Sequence, residues 1–531
     1  MLSQLVVNDL PFPTHLRAPR RLPQSKNLIQ CQVKPTRCSF HNDRGTTLKK
    51  PSQDDRVDLI GPISSNTLQA IMKKSERKDH GYAGASEITT VCGFGYFIQG
   101  FRCFPWLALN FHMAHYLNLD PSTLQLVQHS GNFPMVAKPL FGMISDAVYI
   151  NGDHRIPYVL IGAVLQAMAW IPLAVTPAAR EALPTLMSCI LLSNVGASVA
   201  EVANDALVTE YGQRHRLEGL QSYAFMGAAL GGILGNLIGG HFLANVRPKS
   251  MFLAFASLLL LQFVISSAVR ENSLGLSSTS RSHRTKGSVV EHIKKQANEL
   301  RLALSKESIS GPLLWVVASI AMVPLLSGSV FCYQTQILHL DPSVVGMSRV
   351  VSQLVLFFMT MLYNRYLNEV PMRVLVCSLQ IMYACSLLLD FVLVRRINLQ
   401  LGIPDEIFVL CFSGIAETLA QFKLLPFSVF LASNCPRGCE GSLTSFMASV
   451  WCLSSIISGL LGVALASTIG ITVGEFSALP VGILVQFATA LLPLCGISRL
   501  PNSLSMVNKP WKSKETSTPA SRRESLHQKY A

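Results

Sequence analysis

Residues 117–122 read Leu-Asn-Leu-Asp-Pro-Ser, and residues 338–343 read Leu-His-Leu-Asp-Pro-Ser, 221 positions later. A second match lies at nearly the same offset, because the Glu-Gly pair at 218–219 recurs at 440–441, 222 positions later. Each match falls in a polar connection between apolar segments, and the connections are equivalent ones. Two matches at nearly one offset indicate an internal duplication, as in membrane folds that are built from structural repeats.

Apolar segments flank these repeats, and each is long enough for the ~20 residues that cross a bilayer as a helix. The spans predicted before the central loop are 90–114, 125–146, 157–177, 184–208, 219–243 and 250–269. Those predicted after it are 311–335, 346–366, 372–394, 405–431, 442–467 and 477–498. The pattern predicts an all-α polytopic membrane protein with twelve transmembrane helices in two pseudo-symmetric six-helix halves. This is the arrangement of the major facilitator superfamily.

Charged residues are scarce in the 531-residue chain, at 14%, whereas 50% of the residues are hydrophobic. Soluble proteins carry about 25% charged residues. The composition therefore excludes a disordered protein and a nucleic-acid-binding module, and it argues against a soluble enzyme. The net charge of +14 comes from basic residues in the two tails and the central loop. We expect membrane lipid around the protein and no nucleic-acid partner.

The polar segments define the domain organisation. Residues 1–53 hold nine Lys/Arg and two acids and lack an apolar region as long as a secretory signal needs. Such a leader is typical of an organelle transit peptide, with a disordered cytosolic tail as the alternative, and composition does not separate plastid from mitochondrion. The remaining predicted parts are a polar pre-membrane segment 54–87, an N-terminal half 88–269, a basic central loop 270–309, a C-terminal half 310–498 and a basic disordered tail 499–531.

The basic segments also predict the orientation. Lys and Arg concentrate just before the first span, in the central loop and in the tail. With an even number of spans these segments share one side of the membrane, and positive charge favours the cytosolic side. Both termini are therefore predicted to face the cytosol or, in a plastid, the stroma.

The fourth span carries a polar stripe that ends in two acids. Asn194, Ser198, Glu201 and Asp205 follow one another at intervals that place them on one helical face. Because two close carboxylates repel each other, one of them should hold a proton. Glu201 and Asp205 are therefore the predicted proton-coupling residues. In the alternative, both acids pair with cations on neighbouring helices and only fix the packing.

Polar residues of three other spans are candidates for contact with a substrate, because ionisable groups inside a bilayer are costly unless paired or hydrated. The buried Lys138 could receive a substrate carboxylate or pair with an acid of the fourth span. Lys423 lies on a different face from the polar residues of its own span and is expected to meet another helix. The predicted substrate-binding residues are Gln99, Arg102, Lys138, Glu417, Gln421 and Lys423.

The fifth span contains a stripe of glycines at four-residue spacing, at positions 227, 231, 235 and 239. Small residues at this spacing allow two helix backbones to approach closely. No glycine of the stripe follows a strand, as a phosphate-binding loop would require. The stripe is interpreted as structural, and no metal or cofactor is expected.

Several motifs together resemble the folate–biopterin transporter family. They are Tyr-Phe-Ile-Gln-Gly at 96–100, Leu-Asp-Pro at 119–121, Lys-Pro-Leu-Phe-Gly-Met-Ile-Ser-Asp at 138–146 and Asn-Cys-Pro-Arg-Gly-Cys-Glu-Gly at 434–441. The resemblance covers about residues 88–498, and the leader makes the chain similar to a plant plastid-type member. It implies a gating or structural motif that contains Gly142, Asp146 and Arg155.

The resemblance implies a secondary active transporter, and no enzyme, that moves folates or pterins by alternating access with proton coupling. The anionic glutamate tail of folate would bind Lys138, Lys423 or Arg102. The expected location is a chloroplast membrane, with the plasma membrane or another organelle membrane as the alternative. After the second span, residues 152–157 keep a single arginine where the family has several. A different small organic anion on the same fold therefore stays open as the alternative substrate.

Overall fold

The computed structural model describes residues 87–500, except residues 152, 216–219, 270, most of 272–303, 368–369 and 435–439. Nearly all of the described residues are helical, and their helices group into twelve segments, α1 to α12 in chain order. The predicted leader, nearly all of the pre-membrane segment and the tail, and most of the central loop lie outside the described residues.

Six segments form the N-terminal half. α1 covers residues 87–101 and continues as Cys103–Phe111. α2 consists of Pro121–Ser130, a 3₁₀ turn at Phe133–Ala137 and Lys138–Ala147. The others are α3 (Ile156–Val175), α4 (Leu183–His215), α5 (Leu220–Asn245) and α6 (Pro248–Ala268), with a short helix Pro177–Glu181 between α3 and α4.

Six further segments form the C-terminal half. α7 consists of Glu307–Ala321 and Ser327–Cys332, and α10 of Asp405–Phe412, Ile415–Phe422 and Leu424–Asn434. The others are α8 (Pro342–Arg365), α9 (Met372–Val394), α11 (Glu440–Thr468) and α12 (Leu479–Leu491 with the 3₁₀ turn Leu492–Arg499); a short helix Ile397–Gln400 follows α9. Within the described part of the chain, nine helices are long and apolar enough to cross a membrane. The twelve segments are compatible with the twelve predicted spans.

The internal duplication is visible in the backbone. α1 ends in a π-helical turn at His112–Tyr116, and α7 ends in one at Tyr333–Ile337, 221 positions later. Shortly after these turns, Asn118 and His339 both have positive φ angles, of 46° and 49°. Non-glycine residues rarely adopt this conformation. Its recurrence at the offset of the sequence repeat confirms the duplication.

The glycine stripe of α5 lies at a close helix–helix contact, as predicted, and the structure identifies α1 as the partner helix. A Cβ atom at Gly231 would overlap the carbonyl oxygen of Phe97, and one at Gly100 would overlap that of Ala228. In the C-terminal half, α11 approaches α7 in the same way, since a Cβ at Gly462 would overlap the carbonyl oxygen of Leu325. Both halves thus depend on backbone-to-backbone contact at small residues.

The two halves meet at the end of the bundle that carries the α1–α2 and α7–α8 connections. There, Gly240 near the end of α5 faces Gly346 in the first turns of α8, and a Cβ at Gly346 would lie 2.9 Å from the Cα of Gly240. Gln125, in the first turns of α2, donates to the carbonyl oxygens of Leu325, between the two helices of α7, and of Gly459 in α11. These contacts join the N-terminal half to three elements of the C-terminal half.

Candidate functional site

A cavity of about 530 Å³ lies between the two halves and is lined by residues from both. Its volume falls within the roughly 300–1,000 Å³ of small-molecule sites. Among the described residues, the cavity wall holds four Arg or Lys residues, Arg102, Lys138, Arg349 and Lys423, and three acidic residues, Glu201, Asp390 and Glu417. The cavity therefore gathers ionisable groups that would be costly in contact with lipid.

The cavity brings together residues that the sequence places in four separate spans. The six predicted substrate-binding residues all line it, namely Gln99, Arg102, Lys138, Glu417, Gln421 and Lys423. Of the two predicted proton-coupling residues, Glu201 lines the cavity and Asp205 does not. Asp205 lies one turn farther along α4.

Glu201 is the centre of a buried ion-pair network in the N-terminal half. One of its carboxylate oxygens lies 2.9 Å from Nη1 of Arg102, and the other lies 2.5 Å from Nζ of Lys138. Arg102 stands at the break between the two parts of α1, and its other terminal nitrogen donates to Asn194. The network ties α1, α2 and α4 together. Glu201 therefore pairs with cations of neighbouring helices, as in the alternative that the sequence left open.

Asp205 has a separate environment. Its carboxylate accepts a hydrogen bond from the hydroxyl of Tyr96 on α1. The polar residues before it on α4 bind α2: the amide nitrogen of Asn194 donates to the carbonyl oxygen of Gly131 at 2.6 Å, and Ser198 donates to the sulfur of Met135. The hydrogen bonds described for the two carboxylates of the stripe thus come from different groups.

In the C-terminal half, Lys423 is 1% exposed and meets other helices, as predicted. Its ammonium donates to Oε1 of Gln380 on α9 at 2.9 Å and to the carbonyl oxygen of Ser319 on α7 at 3.3 Å. It also lies 5.0 Å from the ring centroid of Tyr383. Both acceptors are neutral, so they do not compensate the positive charge of the buried ammonium.

Glu417 and Gln421 lie together on α10. The amide nitrogen of Gln421 donates to Oε1 of Glu417 at 3.2 Å, and Arg349 of α8 lies 3.7 Å from the other carboxylate oxygen. Arg349 and Asp390 are the cavity charges that the sequence interpretation missed. The signal was available, because each is an ionisable residue within a predicted span.

A second charged cluster lies outside the cavity, at the α2–α3 connection. Arg155 donates to Oγ of Ser145 at 2.5 Å, to Asp146, and to Glu210 at 2.5 Å. Burial opposes the charge of Arg155, but the carboxylates of Glu210 and Asp146 raise the pKa of its guanidinium above the usual value. Of the predicted motif, Asp146 and Arg155 therefore meet. A Cβ at Gly142 would lie 3.5 Å from Val202, an ordinary contact, so packing does not require that glycine.

The sequence interpretation also missed Glu271. Its carboxylate accepts hydrogen bonds from the backbone N–H groups of His154, Arg155 and Ile156, at the N-terminus of α3. These groups have no partner within the helix, and the helix dipole favours a negative charge beside them. Glu271 thereby attaches the chain after α6 to the cluster around Arg155.

Known proteins resemble the chain in sequence and in fold. The sequence pattern of the BT1 family matches residues 99–520. An Arabidopsis thaliana protein named "Probable folate-biopterin transporter 8, chloroplastic" is 56% identical over 81% of this chain and 78% of its own length. Another, "Probable folate-biopterin transporter 9, chloroplastic", is 54% identical over 87% of this chain and 84% of its own. The crystal structure of a D-xylose–proton symporter covers 79% of this chain and 98% of its own, with a TM-score of 0.58 at 13% identity.

Proposed function

The chain belongs to the BT1 family, and from that premise we propose that it moves folates or pterins across a membrane as a secondary active transporter. The observation that carries the proposal is the cavity between the halves, whose wall holds, among the described residues, four Arg or Lys residues and three acidic residues. Folate carries an anionic tail and a flat ring, and an excess of basic groups suits the tail. Trp106, which also lines the cavity, offers a surface on which the ring can stack.

The basic groups differ in how available they are to an anion. Arg102 and Lys138 share one carboxylate, that of Glu201. Because this group of three charges contains two cations, it retains attraction for a further anion. A folate tail that binds beside Lys138 would compete with Glu201 for the same ammonium. Binding of the tail would in this way be coupled to the packing of α1, α2 and α4.

Transport in this proposal proceeds by alternating access. The contacts of Gln125 and the approach of Gly240 to Gly346 close one end of the cavity. Rocking of one half against the other would break these contacts and form new ones at the opposite end. The cluster of Arg155, Asp146 and Glu210 lies at that opposite end, beside the chain that follows α6.

Proton coupling in this proposal belongs to Asp205. Glu201 is held by two cations, whereas the described partner of Asp205 is the neutral hydroxyl of Tyr96. A carboxylate with a neutral partner can gain and lose a proton without breaking an ion pair. Asp205 would thus bind the proton while the cavity binds the substrate.

The proposed location is a chloroplast membrane, with both termini and the central loop in the stroma. The basic leader and the word chloroplastic in the names of two close relatives support this location. Imaging the full chain with a C-terminal fluorescent protein in plant cells tests it. Fluorescence in the plasma membrane or in mitochondria would contradict it.

The function is tested by uptake into proteoliposomes that contain the purified full-length chain. Labelled folate and biopterin are offered with and without an imposed pH gradient, in competition with unrelated organic anions. We expect saturable uptake of folate or biopterin, and a decrease of uptake in Lys138→Ala. If only an unrelated anion is taken up, the chain is a transporter of a different small organic anion on the same fold, which is the alternative.

A further inference from the structure

Asp390 lines the cavity from α9 and is partly buried. Within the described part of the chain, its carboxylate has no hydrogen bond and no ion pair. The other two acids in the cavity wall are occupied, Glu201 by Arg102 and Lys138, and Glu417 by Arg349 and Gln421. Burying a carboxylate without a compensating donor is costly. Its position in the wall therefore suggests that the donor comes from a ligand.

The cavity that Asp390 lines also presents aromatic side chains on which a flat ring can stack. Tyr383, Leu387 and Asp390 all line the cavity, and their spacing places them on one face of α9. With a rise of about 1.5 Å per residue, the backbone of Asp390 lies about 10 Å along the helix from that of Tyr383. Phe331 and Trp106 also line the cavity. A ring system can stack on such aromatic side chains while its edge reaches a carboxylate.

One basic residue of the wall, Lys423, contacts α9 at two positions before Asp390, namely Gln380 and Tyr383. Lys423 binds Gln380, which precedes Asp390 by ten residues, about 15 Å along α9. Arg102 and Lys138 lie in the other half. An elongated ligand with an acidic group at one end and N–H donors at the other would satisfy both regions at once.

We propose that Asp390 binds the N–H-bearing edge of the substrate ring, and that the cavity thereby selects amphoteric ligands over simple anions. A pterin presents an amino group beside a ring N–H, and a carboxylate can accept both hydrogen bonds in a bidentate manner. The inference rests on the proposed function, because it takes the substrate to be a folate or pterin. It adds the residue that recognises the ring.

Three ligands distinguish recognition of the ring from recognition of the acidic tail. Biopterin has the ring without the acidic tail, p-aminobenzoylglutamate has the tail without the pterin ring, and folate has both. Their binding is measured on the purified full-length chain by thermal stabilisation in detergent, and their transport in proteoliposomes. The variants are Asp390→Asn and Asp390→Glu. The control is Glu406→Gln, which changes an exposed carboxylate at the start of α10.

We expect Asp390→Asn to bind folate and biopterin about tenfold to a hundredfold more weakly, the effect of losing a charged hydrogen-bond acceptor. Its affinity for p-aminobenzoylglutamate should equal that of the wild type. Asp390→Glu keeps a carboxylate and should recover part of the biopterin affinity. This recovery separates loss of the acceptor from loss of folding.

The inference is overturned if Asp390→Asn binds all three ligands like the wild type, or weakens all three equally. Equal weakening together with loss of the response to a pH gradient would instead assign Asp390 to proton binding. If the wild type binds these ligands but transports none, the proposed function fails while the binding data still decide the role of Asp390. If the wild type binds none of the three, both proposals fail.

Discussion

The ammonium nitrogen of Lys138 lies 2.5 Å from a carboxylate oxygen of Glu201, and the two side chains are 6% and 5% exposed. The pair joins α2 to α4, and Arg102 of α1 binds the second oxygen of the same carboxylate. One buried acid therefore compensates two buried cations. The three members are not equivalent, because Glu201 alone contacts both of the others.

This asymmetry predicts the order of the mutational effects. Glu201→Gln leaves two buried cations facing each other and should lower the free energy of unfolding by about 3–5 kcal/mol, the usual cost of breaking a buried ion pair. Lys138→Gln leaves the pair of Arg102 and Glu201 intact and should cost less. Thermal and denaturant unfolding of the detergent-solubilised chain measures both. Equal losses in the two variants would contradict the central role of Glu201, and Glu406→Gln serves as the control.

A second prediction concerns Gln125, which is fully buried. It donates to the carbonyl oxygens of Leu325 and Gly459 and accepts from the backbone N–H of Gly328. At about 0.5–1.5 kcal/mol for each hydrogen bond, Gln125→Ala should favour opening of this end of the cavity.

The opening is measured in a cysteine-free background with one cysteine at position 329. Ser329 is fully buried on α7, so a water-soluble maleimide should label Ser329→Cys faster once Gln125 is replaced. The matched control is Gln128→Ala, because Gln128 binds Asn110 within the same half. Equal labelling rates with and without Gln125→Ala would show that these bonds do not hold the end closed.

A third prediction compares two glycines of α5. A Cβ at Gly231 would overlap the carbonyl oxygen of Phe97, whereas at Gly239 it would lie 3.4 Å from the nearest atom, a side-chain carbon of Phe104. Gly231→Ala should therefore destabilise the protein by about 1–3 kcal/mol, as overpacking does, and Gly239→Ala should be nearly neutral. Melting temperatures of the two variants in detergent decide this. Similar melting temperatures would mean that α5 can move away from α1 at no cost.

A fourth prediction concerns Glu271. Its replacement by alanine leaves three backbone N–H groups at the N-terminus of α3 without their acceptor, and loss of such a cap costs about 0.5–2 kcal/mol. Glu271→Gln keeps one oxygen acceptor and should lose less. Hydrogen exchange of the amides of residues 154–156 gives the local readout. Unchanged exchange in Glu271→Ala would contradict the capping role.

The architecture is predicted well because it depends on features that recur along the sequence. Apolar length gives the spans, and the repeated Leu-Asp-Pro-Ser motif gives the two halves, which the π-helical turns that begin at residues 112 and 333 confirm. The spacing of the glycines in α5 likewise predicts their role in close helix packing. What the stripe cannot give is its partner helix, since α1 is identified only by the contacts of Phe97 and Gly100.

The site is predicted less completely, because partners across helices leave no local signal. Helical spacing places Glu201 and Asp205 on one face, but it does not show that Arg102 and Lys138 occupy the first and Tyr96 the second. Asp390 was missed although it is an ionisable residue within a predicted span. Glu271 lies 115 residues from Ile156, whose amide it binds, so only the folded chain reveals the contact.

The last prediction separates proton coupling from substrate exchange. Asp205 does not line the cavity, and its described hydrogen-bond partner is the hydroxyl of Tyr96. If Asp205 carries the proton, Asp205→Asn should abolish accumulation of substrate driven by a pH gradient while exchange of internal for external substrate continues. Tyr96→Phe removes the donor but keeps the carboxylate, so it should change the pH dependence of uptake without abolishing accumulation. Proteoliposomes preloaded with unlabelled substrate measure exchange, and an imposed pH gradient measures accumulation, with Glu406→Gln as the control. Gradient-driven accumulation at the wild-type level in Asp205→Asn would assign coupling to another residue, because asparagine cannot take up the proton.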